Sequence, residues 1–233
     1  MNNQNRLYIV ATPIGNIKDI TLRAIEVLES VDVIICEEYK QGSKLLKRLG
    51  IKYKELFSIN EHNEKENTQE IMIRMAQGDS CALISDCGTP VFADPGAYLI
   101  REISQAGFVV QPIPGASSLM AALSILDIRL KDFYFAGFLP RKTDERNKEL
   151  KRLRTMTTSL VIMDTPYRLS KSLKEIIDNF GKNQKITLAC NLTQSDEAIY
   201  RGTAAEIFKE VKDKKMEFML IVHREFHKPH KSR

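Results

Sequence analysis

Several features that mark other protein classes are missing from this chain of 233 residues. It has no tryptophan, and aromatic residues make up only 7% of it, so few side chains are suited to stacking on single-stranded bases. Its longest apolar runs, such as VDVIIC, are far shorter than the roughly 20 residues that a membrane span needs. No basic-then-apolar leader opens the chain. These absences predict a cytoplasmic protein that uses no membrane.

Cysteine and histidine are too few and too scattered for most metal or thiol chemistry. The four cysteines (Cys36, Cys81, Cys87 and Cys190) lie far apart with no CxxC pair, which predicts reduced thiols and no metal site. Three of the four histidines lie in the tail, and the fourth, His62, lies in the polar loop NEHNE. His62 fits either a solvent-exposed position in a loop or a position that faces the substrate.

The common catalytic fingerprints are also missing. No GxGxxG follows the first apolar run and no GxxxxGK[ST] occurs, which disfavours a dinucleotide enzyme and a phosphate-loop NTPase. Neither a GxSxG elbow nor an HExxH pair is present. The net charge of +5 comes largely from the tail HREFHKPHKSR. A net charge of this size is compatible with an anionic partner but does not require one.

Strand-like runs alternate with amphipathic helical segments along the whole chain. The first half contains LYIVAT, VDVIIC, CALISD and VVQPIP as strands, with helices between them. Asp19 is placed to cap the first helix, Gly50 to end a second, and Asn67 or Thr68 to cap a third. The alternation of strand-like and helical segments is interrupted near residue 130 and continues with FYFAGF. We therefore predict two α/β domains, 1–130 and 131–233, the first with a parallel sheet.

The turns that follow four strands of the first half carry small and polar residues. In open α/β sheets, ligands bind at the carboxyl ends of the strands, and small residues there let the backbone approach a ligand. One Pro-Gly turn alone would simply end a strand, whereas four at one sheet edge indicate a binding site. The four turns are 12–16 (TPIGN), 37–40 (EEYK), 85–90 (SDCGTP) and 114–118 (PGASS).

Together these motifs resemble a known family. The series TPIGNIKDITLRAIEVL, NEHNE, ALISDCGTPVFADPG, PIPGASSLMAAL and FAGFLPRK is similar to the tetrapyrrole methylase superfamily of S-adenosylmethionine-dependent methyltransferases. The SDxGTPxxxDPG block and GFLP resemble its branch of RNA enzymes, which methylate the 2′-hydroxyl of a cytidine in 16S ribosomal RNA. The likeness extends from Leu7 to about His223.

The resemblance implies two α/β domains with the methyl donor in the cleft between them, in a homodimer. It also implies which residues bind S-adenosylmethionine. Carried over by motif, these are Pro13, Gly15, Ser85, Asp86, Gly88, Thr89, Pro90, Phe92, Ser117 and Ser118 in the first domain, and Met163, Thr165, Asn191 and Leu192 in the second.

The substrate side departs from the family pattern at three turns. An acidic-Asp-Thr-Arg turn becomes EEYK at 37–40, a Tyr-Glu-Ser-x-His-Arg stretch becomes MDTPYR at 163–168, and Arg-Glu-Leu-Thr-Lys becomes CNLTQ at 190–194. Candidates to assist the ribose hydroxyl are Glu37, Lys40 and Arg141. Candidates to contact RNA phosphates are Lys40, Arg141, Lys142, Arg168 and the basic tail. The basic stretch RKTDERNKELKRLR suits either a solvated helix face or a phosphate-binding strip.

Three functions are compatible with these residues. The first is 2′-O-methylation of a cytidine in the small ribosomal subunit. The second is methylation of a small molecule by an enzyme of the same fold. The third is a non-catalytic module that binds S-adenosylmethionine or RNA. Transfer of labelled methyl groups to undermodified small subunits distinguishes the first from the other two.

Overall fold

A computed structural model describes residues 5–52, 54–92 and 94–224. Within them lie ten strands and eight α-helices. The strands are β1 (Arg6–Val10), β2 (Val33–Cys36), β3 (Glu55–Ser58), β4 (Cys81–Ile84), β5 (Val109–Ile113), β6 (Phe133–Phe138), β7 (Ser159–Asp164), β8 (Lys185–Cys190), β9 (Ala198–Thr203) and β10 (Phe218–Val222). The helices are α1 (Leu22–Ser30), α2 (Tyr39–Leu49), α3 (Glu64–Ala76), α4 (Ala97–Gln105), α5 (Ser118–Ser124), α6 (Thr143–Arg154), α7 (Leu169–Phe180) and α8 (Ala204–Val211).

The chain divides into two compact units, Met1–Met120 and Ala121–Arg233, and each contains one five-stranded sheet. The predicted α/β fold class is confirmed, whereas the functional domain boundary near residue 130 stays a prediction. No helix in the described part of the chain combines the length and apolar character that crossing a bilayer requires.

The first sheet is parallel throughout, with the strand order β3-β2-β4-β1-β5. Alternate residues of its central strands enter two separate cores. Val33 and Ile35 pack with α3 and α4, whereas Ile34 and Cys36 pack with α1 and α2. Burial on both faces explains why β2 and β4 consist almost entirely of apolar residues.

The second sheet is mixed, with the order β6-β7-β10-β8-β9. Strands β6 and β7 are parallel, and β10 is antiparallel to both β7 and β8. Leucine and isoleucine side chains of α6, α7 and α8 pack with those of β7, β8 and β10 in a single core. The carboxyl ends of β7 and β8 therefore lie at one edge of this sheet, and the carboxyl ends of β9 and β10 lie at the other.

Several local expectations need correction. Asp19 ends a short 3-10 helix, and Thr21 caps α1 because its hydroxyl oxygen accepts a hydrogen bond from the Ala24 N–H at 3.1 Å. Helix α3 begins at Glu64, ahead of both predicted caps, and α2 begins at Tyr39, inside the predicted EEYK turn. The expected stop at Gly50 is confirmed by its left-handed φ of 71°. The edge strands β3 and β9 are absent from the prediction.

Candidate functional site

The turns after β1, β2, β4 and β5 lie at one edge of the first sheet, because these strands are parallel neighbours. Adjacent strands are about 4.8 Å apart, so the four turns fall within roughly 15 Å of each other. We call this set of turns, residues 12–16, 37–40, 85–90 and 114–118, the first-sheet edge. It brings together the predicted donor contacts of the first unit except Phe92, which follows the third turn.

Thr12 joins the first turn to the third. Its hydroxyl donates to the Ser85 carbonyl at 3.0 Å and accepts from the Gly88 N–H at 3.1 Å, while its own N–H donates to the Gly88 carbonyl at 2.9 Å. The Thr12 side chain is buried, so these bonds are shielded from water. Thr12 was not among the predicted site residues, although its place directly after a strand was a usable signal.

Gly88 occupies a position that suits only glycine. Its φ is +87°, and an added Cβ would lie 3.1 Å from Ile14 Cγ2 and 3.6 Å from the Ala116 carbonyl oxygen. A side chain here would therefore meet the neighbouring turns before it met any ligand. The glycine is needed to let three turns of the chain pack together, while its predicted contact with the donor stays a prediction.

Other predicted contacts in the same turns use their side chains to hold the backbone. Ser85 is buried and donates to Asp94 Oδ2 at 2.6 Å, and Thr89 donates to the Ala116 carbonyl at 3.1 Å. Val91 has a φ of 70°, which is strained for a β-branched residue. What these turns offer a ligand is therefore chiefly their fixed backbone.

The predicted donor contacts of the first unit differ in exposure. Gly88, Ser85 and Pro90 are buried. The remaining ones are half-buried (Pro13, Ser117 and Ser118) or exposed (Gly15, Asp86, Thr89 and Phe92). The half-buried and exposed groups are the ones that a ligand can reach.

Carboxylates concentrate at this edge. Burial raises the pKa of Glu37, and the nearby Asp86, Asp94, Glu38 and Glu61 raise it further. Partial desolvation raises the pKa of Asp86, and Glu38 adds to the shift, although a backbone hydrogen bond from Glu38 opposes it. Such mutual repulsion favours a ligand that presents positive charge to the carboxylates and disfavours a phosphate. Tyr39 and Lys40 lie beside the cluster, exposed on the first turn of α2.

The NEHNE segment is a scaffold for the same region. Asn60 and Asn63 bond to backbone groups within the segment, and Asn63 also donates to the Ser58 carbonyl at 3.2 Å. The Ser58 hydroxyl donates to the Glu37 carbonyl at 2.7 Å. Glu64 accepts from the N–H groups of Gly96 and Tyr98 at the start of α4. His62 is solvent-exposed, with 86% of its side chain accessible.

A buried ion network supports the turn after β7 in the second unit. Arg146 of α6 is fully buried and donates from Nη2 to Asp164 Oδ2 at 2.8 Å and to Ser172 Oγ at 2.9 Å. Its Nε donates to Glu175 Oε2 at 2.7 Å. Asp164 Oδ1 in turn accepts from the Thr165 N–H at 2.9 Å. Arg146 therefore belongs to the core, which corrects its assignment to a basic surface strip.

The predicted donor contacts of the second unit lie at the edge formed by the ends of β7 and β8. We call Met163, Thr165, Asn191 and Leu192 the second-sheet edge. Thr165 is exposed, whereas Asn191 is 8% exposed and has a φ of 47°. The Asn191 amide donates to Asp196 at 2.7 Å and accepts from the Glu217 N–H at 3.0 Å. Its side chain therefore shapes the turn.

The predicted phosphate-contacting cations follow strands of both units. Lys40 lies after β2 in the first unit, whereas Arg141 and Lys142 follow β6 and Arg168 follows its parallel neighbour β7 in the second. Arg141 and Lys142 are exposed just before α6, and Lys142 pairs with Glu145 at 3.2 Å. Arg168 follows β7 and has 28% of its side chain exposed, with its Nη1 3.9 Å from Asp164 Oδ1. The tail after Arg224 lies outside the described residues. Among the described residues, no group of three or more His, Cys, Asp or Glu is placed to hold a metal ion.

Solved structures of similar fold include three enzymes. Uroporphyrin-III-C-methyltransferase from Thermus thermophilus has a TM-score of 0.66 at 19% identity, covering 94% of each chain. The cobalt precorrin-4 methyltransferase CbiF has a TM-score of 0.69 at 18% identity, covering 95% of this chain and 96% of its own. Diphthine synthase has a TM-score of 0.69 at 16% identity, covering 94% and 90%. Identities this low establish the shared fold alone.

Sequence relatives extend the likeness beyond the fold. The protein of Escherichia coli O157:H7 named ribosomal RNA small subunit methyltransferase I is 38% identical over 225 residues, covering 95% of this chain and 78% of its own. The Leptospira biflexa protein of the same name is 35% identical and covers 93% and 90%. The family model for Tetrapyrrole (Corrin/Porphyrin) Methylases matches residues 6–207. The motif-based resemblance is confirmed: the chain belongs to the tetrapyrrole methylase family and is a methyltransferase.

Proposed function

We propose that this enzyme transfers a methyl group from S-adenosylmethionine to the 2′-hydroxyl of a cytidine in 16S ribosomal RNA. The observation that carries the proposal is the 38% identity, over 95% of the chain, to a protein named for methylation of small-subunit ribosomal RNA. The solved enzymes named for tetrapyrrole substrates are less than 20% identical to this chain. Action on ribosomal RNA places the enzyme in the cytoplasm.

The residues at the first-sheet edge fit the donor. Gly15 is exposed in the first turn, where the absence of a side chain suits the close approach of a nucleoside. Gly88 and Gly115 let the turns pack against one another and so fix their backbone. The carboxylates of Glu37 and Asp86 complement a positively charged ligand. S-adenosylmethionine, when bound, supplies an electrophilic methyl group on a sulfonium. The resemblance assigns additional donor contacts to the second-sheet edge.

The residues of the chain mainly position the reactants and exclude water. Such alignment can lower a barrier by about 7 to 11 kcal/mol in favourable cases. Thr12 fixes the turns through a buried hydrogen bond and Ser85 through a partly buried one. Glu37 is half-buried and has a raised pKa, so its carboxylate is our candidate to accept the proton that the ribose hydroxyl releases. Lys40 and Arg141 are candidates to assist by their charge.

Transfer of a labelled methyl group tests the proposal directly. Small ribosomal subunits from bacteria that lack the modification are incubated with the full chain and labelled S-adenosylmethionine. We expect label in 16S RNA at one cytidine, in a linkage that resists alkaline hydrolysis because the 2′-oxygen is blocked. Subunits that already carry the methyl group are the matched control and should take up no label. Donor binding without transfer to RNA would favour a non-catalytic module, and transfer to a tetrapyrrole would favour the small-molecule enzyme.

We further propose that the enzyme is a homodimer, on the basis of its family. Light scattering at micromolar protein concentration should give twice the 26.6 kDa mass of one chain. The measurement is repeated at high salt, because an interface held by apolar contacts persists when surface charges are screened. A mass of one chain under both conditions would contradict the proposal.

A further inference from the structure

A cationic groove lies in the second unit, at the sheet edge where β8 begins and where β9 and β10 end. Its volume is about 640 Å³. We call it the basic groove and define it by the ionisable side chains that line it: Asp127, Arg129, Lys185, Arg201, His223 and Arg224. A neighbouring depression of about 530 Å³ shares Lys185, His223 and Arg224 with it and adds Lys182. The groove and the depression together form a surface that is longer than a single small anion requires.

The charge of the groove is positive. Four cationic side chains (Arg129, Lys185, Arg201 and Arg224) face one carboxylate, that of Asp127. Burial lowers the pKa of His223, against an opposing influence of Asp127, so the imidazole is neutral near pH 7. Glu206 interacts electrostatically with Lys185 and offsets part of this charge. The remaining excess of cations in one concave surface attracts anions and concentrates them.

Two groups in the groove are held in place and still have unused hydrogen-bonding capacity. The Arg224 guanidinium lies over the Phe180 ring at 5.1 Å and donates from Nη2 to the Arg154 carbonyl at 3.0 Å. His223 Nε2 is 2.9 Å from the Thr187 hydroxyl. Arg224 Nε and His223 Nδ1 are buried and have no hydrogen-bond partner within residues 5–52, 54–92 and 94–224. Buried polar atoms without partners are uncommon, and an acceptor ligand would satisfy them.

The groove is remote from the second-sheet edge. Lys185 begins β8, whereas Asn191 and Leu192 follow its last residue, Cys190. A six-residue strand spans about 20 Å. A small methyl acceptor held at the second-sheet edge would therefore not reach the groove, but a polymer with a phosphate at every residue would.

From this geometry we propose that the basic groove binds the phosphodiester backbone of the RNA substrate at a distance from the methylated nucleotide. The inference rests on the proposed function, because it takes the substrate to be RNA. The groove supplies affinity and register through phosphates and reads no bases. Of the candidates that the sequence offered for contacts to RNA phosphates, Lys40, Arg141, Lys142 and Arg168 do not line the groove, whereas Arg224 of the basic tail does.

The test removes two charges without removing a structural bond. Arg129 and Lys185 are exposed, and neither side chain donates a hydrogen bond to another residue in the part of the chain that the structure describes. The R129Q/K185Q variant is compared with K174Q/K212Q, which loses the same charge from exposed positions in the same unit outside the groove. The probe is undermethylated 16S RNA, and its binding is measured across a salt series. Thermal unfolding confirms that both variants are folded.

We expect R129Q/K185Q to bind the RNA about tenfold more weakly at moderate salt and to lower the slope of log K against log salt by about 1.4 to 1.8. Its KM for RNA should rise while kcat and donor affinity stay unchanged, because the groove contributes to binding alone. K174Q/K212Q should match the wild type.

Equal RNA binding by R129Q/K185Q and the wild type, with wild-type methyl transfer intact, would overturn the groove assignment and leave the proposed function standing. Absence of RNA binding and transfer in the wild type would overturn both. Binding of the wild type and of R129Q/K185Q to anionic phospholipid vesicles is measured alongside RNA binding. If R129Q/K185Q lost binding to vesicles that the wild type binds, and bound RNA as the wild type does, the groove would be assigned to a membrane surface and its assignment to RNA would be overturned.

Discussion

Replacing Arg146 with methionine is expected to lower the free energy of unfolding by about 3 to 5 kcal/mol. Methionine keeps much of the side-chain volume but leaves the carboxylates of Asp164 and Glu175 without their cation. The Asp164 side chain is 2% exposed and that of Glu175 is 15% exposed, so water replaces little of the lost interaction. Urea denaturation followed by circular dichroism measures the change.

Lys148→Met is the matched control for this prediction. Lys148 lies on the same helix but is exposed, and a surface change of this kind shifts stability by no more than about 0.5 kcal/mol. If the Arg146 variant were as stable as the Lys148 variant, the buried network would contribute nothing to stability. The second-sheet edge would then have to be held by other contacts.

Replacing Gly88 with valine is expected to weaken binding of S-adenosylmethionine at least tenfold. A non-glycine residue at a φ of +87° costs about 1 to 2 kcal/mol, and the first side-chain carbon would also press against Ile14 at 3.1 Å. The strain is relieved by movement of the turn, which breaks the hydrogen bonds between Thr12 and Gly88. Calorimetric titration of donor into the folded variant measures the loss, with micromolar affinity expected for the wild type.

Gly107→Val is a control with the same kind of backbone strain at another place. Gly107 has a φ of +85°. Apart from Gly107 and its two chain neighbours, no heavy atom of the described residues lies within 4 Å of the Cβ that the substitution would add. It comes just before β5, at the end of that strand opposite the turn at 114–118. We expect this variant to lose stability and to keep its donor affinity. Equal loss of donor affinity in both variants would show that general destabilisation is the cause.

The succession of central strands and helices along the chain was predictable, because each is marked by a hydrophobic pattern within its own short segment. Strands such as β2 and β4 are short apolar runs, and polar residues follow each of them: EEYK after β2 and SDCGTP after β4. The edge strands β3 and β9 were missed because an edge strand is partly exposed and carries mixed residues, as in AIYRGT. Their pairing depends on neighbours distant in sequence, which a local pattern does not contain.

Side-chain partners were the least predictable part of the site. Arg146 looked like its basic neighbours in RKTDERNKELKRLR, because nothing local indicates that Asp164 and Glu175 surround it. Ser85 stays a predicted donor contact, but nothing local in the sequence indicates that its hydroxyl donates a hydrogen bond to Asp94. The sequence thus located the small-residue turns, while the contacts that fix them needed the fold.

Glu64 has a consequence for how the first unit opens. Its Oε1 accepts hydrogen bonds from Gly96 at 2.9 Å and from Tyr98 at 3.1 Å, so one carboxylate ties the start of α3 to the start of α4. Fraying of α4 from its amino terminus must break the hydrogen bonds that Glu64 accepts. The amide protons of the NEHNE segment and of the α4 amino terminus should therefore exchange with solvent as one cooperative unit, although 32 residues separate Glu64 from Gly96 in the chain.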